Sequence, residues 1–138
     1  MTVKKDHITF RGRYLGVTFF VIVQFIVGII HIFFGLAMLS GSFSFASYSV
    51  TPIVYSFYTF AYGCFTFFFT YLVWITSRFG WIGTVAVSFF VILADTFAVF
   101  NVINFLGIPE LAAIGEIPFS IVIILYFLQY HIRSKFNV

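Results

Sequence analysis

The chain has 138 residues, 62% of them hydrophobic and 8% charged, with seven Lys and Arg against four Asp and Glu and a mean hydropathy of +1.13. Soluble domains use about 45–50% apolar and 25% charged residues, so a soluble globular fold is excluded and a multi-pass protein of the cell membrane is expected, with no nucleic-acid partner. The length accommodates about four spanning helices with short connections and leaves nothing for a soluble domain, so any chemistry is built inside the bundle or supplied by partners.

The 23 phenylalanines suit lipid-facing and helix-packing surfaces better than a polar pore lining. A single cysteine, Cys64, makes no internal disulfide and has no CxxC partner. That removes the four-helix disulfide-forming and quinone-coupled thiol oxidases.

Residues 1–13, MTVKKDHITFRGR, carry Lys4, Lys5, Arg11 and Arg13 against Asp6 and read as a solvated basic arm. The first span covers 14–39 and is too long for the 7–15-residue apolar core of a cleaved signal, so an uncleaved signal-anchor is expected. On it Gln24, Gly28, His31 and Gly35 recur at helical spacing on one face. The glycines let a neighbouring backbone approach, and Gln24 and His31 then hydrogen-bond across the interface instead of facing lipid. His31 could serve as a haem, metal or proton-relay residue, but no second histidine lies at its depth and no metal-ligand spacing exists, so an interhelical hydrogen bond is expected.

Residues 40–51, SGSFSFASYSVT, are uncharged and alternate serine with aromatic residues, as in a connection lying on the membrane surface. Pro52 fits the first turn of a second span, 52–75. On it Ser56, Thr59, Gly63, Thr66 and Thr70 form a second small, polar stripe, expected to pack against a neighbouring helix. The turn TSRFG at 76–80 is short enough only for an antiparallel hairpin.

The third span, 81–106, holds Asp95 near its middle with Thr84 and Ser88 on the same face. An Asp at the centre of a spanning helix costs on the order of 2.5–3.5 kcal/mol, so it must face other helices, stay protonated or find a partner. The connection LGIPELAAIGEIPF is broken by Pro109, Gly115 and Pro118, leaving one interfacial turn near Glu110 and a short last span, 118–133, that either begins earlier through that turn or relies on local thinning of the bilayer and anchoring by Tyr126, Tyr130 and His131.

With four alternating helices, all seven Lys and Arg fall on one side, four in the arm, Arg78 in the turn, and Arg133 and Lys135 in the tail, while the opposite connections carry only Glu110 and Glu116. The positive-inside rule then puts both termini in the cytoplasm. The same bias opposes the dual-topology insertion used by small multidrug transporters and fluoride channels. The fold class is thus an all-α, integral-membrane four-helix bundle forming one transmembrane domain.

From RFGWIGTVAVSFFVI at the start of the third span and YHIRSKF near the end, the chain resembles uncharacterised small four-transmembrane-helix membrane proteins, many of them archaeal. The resemblance implies the hairpin pattern and no activity.

No signature of catalysis, cofactor or metal binding is present, so no catalytic, cofactor-binding or metal residue is assigned and no enzyme is expected. The expected function is a non-catalytic accessory or structural subunit of a larger membrane complex, respiratory or otherwise bioenergetic. Its partners would be lipids and other membrane subunits or further copies of itself. The alternative is a small homo-oligomeric transporter or channel using Asp95 and the polar stripes. His31 and Asp95, at similar computed depth on helices running the same way, are expected to form a hydrogen-bonded pair, direct or through one bridging group.

Overall fold

The apolar runs fold as four long helices, α1 (Leu15–Leu39), α2 (Pro52–Trp74), α3 (Arg78–Val99) and α4 (Glu110–Phe127), in a computed structural model that describes residues 9–10, 13–41, 52–100, 102 and 107–138. Each is long and apolar enough to cross a membrane by length and composition. A two-residue antiparallel pairing, β1 (Thr9–Phe10) with β2 (Arg13–Tyr14), leads into α1, and a short helix α5 (Tyr130–Arg133) with a 3₁₀ turn at Ser134–Phe136 follows α4. Residues 42–51, most of the serine-rich connection, lie outside the described residues, as do most of the basic arm, Asn101 and residues 103–106.

Two helix boundaries differ from the sequence reading. The last long helix is not 118–133 but starts at Glu110, because Pro109 is extended (φ −64, ψ 133) and its carbonyl already accepts the Ala113 amide at 3.0 Å. Pro118 is therefore an interior proline, which removes one ladder hydrogen bond and which apolar bundles tolerate. The helix stops at Phe127, before the extended Gln129, so Tyr130 and Arg133 belong to a separate element. The third helix begins at Arg78, after the extended Ser77, and ends at Val99, where the Val102 amide donates to Phe97 O at 3.1 Å in a wider closing turn. The expected continuation to 106 falls mostly outside the described residues.

Between α2 and α3 the Ser77 amide donates to Leu72 O and the Thr76 amide to Val73 O, both at 2.9 Å, a Schellman closure with Thr76 left-handed at φ 60. The hairpin is tight because Gly80 lies against the backbone of Leu72 and Val73.

Backbones pack in the order α1–α2–α3–α4, with α1 and α2 closest. A Cβ on Gly63 would lie 2.6 Å from Ile32 N and 2.9 Å from Gly28 O, and one on Gly35 would lie 2.7 Å from Phe60 Cα. Helix α4 meets α1 through long side chains such as Tyr126 on Phe20 and Glu116 on His31. This makes α1 and α3 diagonal.

One end of the bundle carries Arg78, Arg133 and Lys135 and is sealed by an apolar core in which Ile132 and Phe136 of the tail join Val17, Phe20, Val73 and Phe127. Trp81 Nε1–H donates to Phe127 O at 2.8 Å, taking up a carbonyl at the end of α4. The Arg133 guanidinium lies 5.8 Å from the Trp81 ring and the Lys135 ammonium 5.2 Å from that of Tyr14. Glu110 and Glu116 mark the other end.

Candidate functional site

Among the described residues, buried polar side chains run the length of the bundle: Thr18 and Gln24 on α1, Ser56, Thr59, Thr66 and Thr70 on α2, Thr84, Ser88 and Asp95 on α3, and Ser120 on α4. Small-residue stripes place them. With glycines at Gly28, Gly35 and Gly63, the facing surfaces of α1 and α2 come close enough to turn their intervening polar groups inward. Gln24 Oε1 accepts from the Thr70 hydroxyl at 3.4 Å across that interface, and Thr59 and Thr66 flank Gly63 on the buried face of α2.

Ionisable groups concentrate toward the acidic end. His31 Nδ1 lies 2.8 Å from Val27 O, one turn back on its own helix, and Nε2 lies 3.3 Å from Glu116 Oε1. The Tyr62 ring meets the imidazole edge-on, with centroids 4.7 Å apart. The side chains of His31 and Glu116 are 21% and 25% exposed, because the α1–α4 side of the bundle is closed by side chains instead of close backbone packing.

Asp95 is 0% exposed, and neither carboxylate oxygen has a hydrogen-bond partner among the described residues. The buried Tyr58 hydroxyl is likewise unpartnered there. Asp95 interacts electrostatically with Glu116 and His31, and Tyr58 with both carboxyl groups. Tyr55, Tyr58 and Tyr62 form a stacked file along α2, with successive centroids 6.3 and 6.4 Å apart. Stepping along α3 and α4 from the Trp81–Phe127 contact puts Asp95 opposite Ala113, so Glu116 lies about one turn deeper.

No hydrogen bond, direct or through a described side chain, joins His31 to Asp95, the pair expected from helix depth. Diagonal placement of α1 and α3 separates the two residues, and α4 brings Glu116 to the imidazole in Asp95's place. In sequence Pro118 reads as a helix start, which leaves Glu116 in the preceding connection, whereas the structure places it within α4. The signal that finds it is Pro109 followed directly by Glu110, a proline then an acid at a helix N-terminus, which puts Glu116 in the second turn.

Chemically, the arrangement is an acid–base cluster of two carboxyl groups and an imidazole at the head of a file of buried hydroxyls. Among the described residues, no group of three or more His, Cys, Asp and Glu converges as a metal ion would require. No protein-family model matches this chain, and no curated protein or solved structure matches it either.

Proposed function

We propose that the chain is a multi-pass membrane protein with its basic end and both termini in the cytoplasm, and that the bundle moves a small cation along its polar axis. The observation that carries this reading is Asp95, a fully buried acid with no hydrogen-bond partner among the described residues. An ionisable group is expensive in a membrane interior and is retained there for pathways and relays more than for packing. The buried hydroxyls and Gln24 extend the polar character from Asp95 toward the basic end. The apolar core there, with Ile132 and Phe136, makes the inner end the closed one. Transport then requires that seal to open, and assembly with lipid and further copies of the chain is expected.

The test is reconstitution of the purified chain into liposomes loaded with a pH-sensitive dye, with a potassium diffusion potential as driving force. The wild type is expected to change the internal pH and Asp95→Asn to behave as empty liposomes. Equal rates for the two proteins would overturn the proposal.

A second reading, the non-catalytic subunit of a larger complex, is favoured by one feature. An apolar groove of about 450 Å³ between α2 and α3, lined by Tyr58, Ala61, Phe65, Phe69 and Val87 among others, opens to the outside of the bundle and would seat side chains of another helix. Co-purification of different subunits after mild detergent extraction from native membranes would support it, and isolation of the chain with lipid alone would oppose it.

A further inference from the structure

We propose that His31, Glu116 and Asp95 form a two-station proton-exchange site, with the His31–Glu116 pair as the accessible station and Asp95 as the buried one. This rests on the conduction reading above and names its cation as the proton.

The hydrogen-bond pattern of His31 carries the inference. Nδ1 faces the Val27 carbonyl, which can only accept, so Nδ1 bears a hydrogen and donates it. Nε2 then has a lone pair facing Glu116 Oε1, and an ionised carboxylate offers lone pairs only. Two bare acceptors would repel. The contact is attractive only if one more proton sits between them, on nitrogen as imidazolium with carboxylate or on oxygen as imidazole with carboxylic acid. The pair is electrically neutral in both forms, so the proton is stored in a half-buried place without a net buried charge.

Asp95 is the complementary half. Its two oxygens meet no donor among the described residues, and it is offset from Glu116 by about one turn along the bundle axis, with no group of three or more His, Cys, Asp and Glu among the described residues that could hold a metal ion. A metal ion would need several oxygen ligands at once, whereas a proton needs one. The transfer breaks the O–H bond of Glu116 and forms an O–H bond on Asp95, and the negative charge passes from Asp95 to Glu116. Tyr58 is within electrostatic reach of both carboxyl groups, and its hydroxyl, which can accept one hydrogen while giving another, relays the step once a side-chain movement brings it into hydrogen-bond distance. Glu116 is then reprotonated from the acidic end of the bundle, about 9 Å along α4 at Glu110. The ionisable groups within electrostatic reach of Asp95 are His31 from α1, Tyr55, Tyr58 and Tyr62 from α2, and Glu116 from α4.

The test is infrared difference spectroscopy of the full chain in lipid nanodiscs, between acid and alkaline buffers, in H₂O and D₂O. The chain has two aspartates, Asp6 and Asp95, so ¹³C-aspartate labelling in an Asp6→Asn background reports on Asp95 without altering it. A carboxylic C=O band that shifts with the label and with D₂O is expected, lost in Asp95→Asn, with a second, unlabelled band lost in Glu116→Gln. Replacing sodium by choline is expected to leave both unchanged. Absence of a label-sensitive band while the helical amide signal persists would overturn the proposal, as would displacement of the bands by sodium at fixed pH. The spectra read equilibrium occupancy, so the bands without liposome flux would support this site and overturn the conduction reading alone. Flux without the bands would overturn this site alone.

Discussion

Single glycine-to-alanine changes separate helix packing from helix propensity in this bundle. At Gly63 the added Cβ lies 2.6 Å from Ile32 N, against 3.4 Å for ordinary contact, so α1 and α2 must part by about 0.8 Å. At Gly35 the 2.7 Å approach to Phe60 Cα demands about 0.7 Å, and at Gly28 the 3.2 Å approach to Phe67 N demands about 0.2 Å. Gly115 has nothing within 4 Å. Each substitution gains about 0.5–1 kcal/mol from replacing glycine in a helix, while overpacking against rigid backbone costs about 1–3 kcal/mol. Gly63→Ala and Gly35→Ala are therefore expected to lose about 1–2 kcal/mol net, Gly28→Ala to be near neutral, and Gly115→Ala to gain up to about 1 kcal/mol. Unfolding by SDS titrated into mixed micelles, followed by tryptophan fluorescence, gives the order. Gly63→Ala as stable as Gly115→Ala would refute the close approach of α1 and α2.

Three further outcomes are expected. In a Cys64→Ala background, Leu111→Cys (82% exposed in the native chain) should react with an impermeant maleimide only from outside the cell and Tyr130→Cys (87% exposed) only from inside; the reverse pattern would invert the topology. Thr76→Gly should raise stability by about 1 kcal/mol in the same SDS titration, because a β-branched residue occupies the left-handed position of the α2–α3 closure; a lower midpoint would contradict that geometry. Phe136→Ala should cost about 3–5 kcal/mol and expose the chain near Gln129 to protease, since the ring is buried in the core at the basic end; unchanged protection would mean that the tail does not seal it.

The long helices were legible because each apolar run is long enough to cross a hydrocarbon core and is bounded by proline, glycine or charge. Pro52 and the Arg78 turn marked their boundaries to within a few residues, since proline at a helix start and a five-residue turn leave few alternatives. Pro118 misled for the same reason. Proline signals a helix start equally well whether it is at the first turn or inside an apolar helix that tolerates it, and the acid that directly follows Pro109, with the extended backbone there, distinguishes the two. The stripe of Gln24, Gly28, His31 and Gly35 could be read as one face from spacing alone. What that face meets could not, because the same glycines would fit any helix with a small-residue surface.

The pairing of His31 was illegible for a different physical reason. Depth along a helix follows from 1.5 Å per residue, so residues of similar depth can be listed from sequence, but neighbours around a bundle depend on which pairs of backbones pack. Here α1 and α2 approach through glycine, α2 and α3 are tied by their short turn, and α4 is held to α3 by the Trp81 indole and to α1 by side chains. These contacts set α3 across the bundle from α1. The imidazole of His31 therefore meets the acid delivered by α4, and Asp95 is left buried with the hydroxyl of Tyr58 as its unpartnered neighbour. A direct His31–Asp95 pair would have satisfied both groups and left little chemistry to do. Separating the acid from the imidazole by a helix and one turn of depth instead leaves two protonatable stations, one partly open and one sealed, within electrostatic reach of each other.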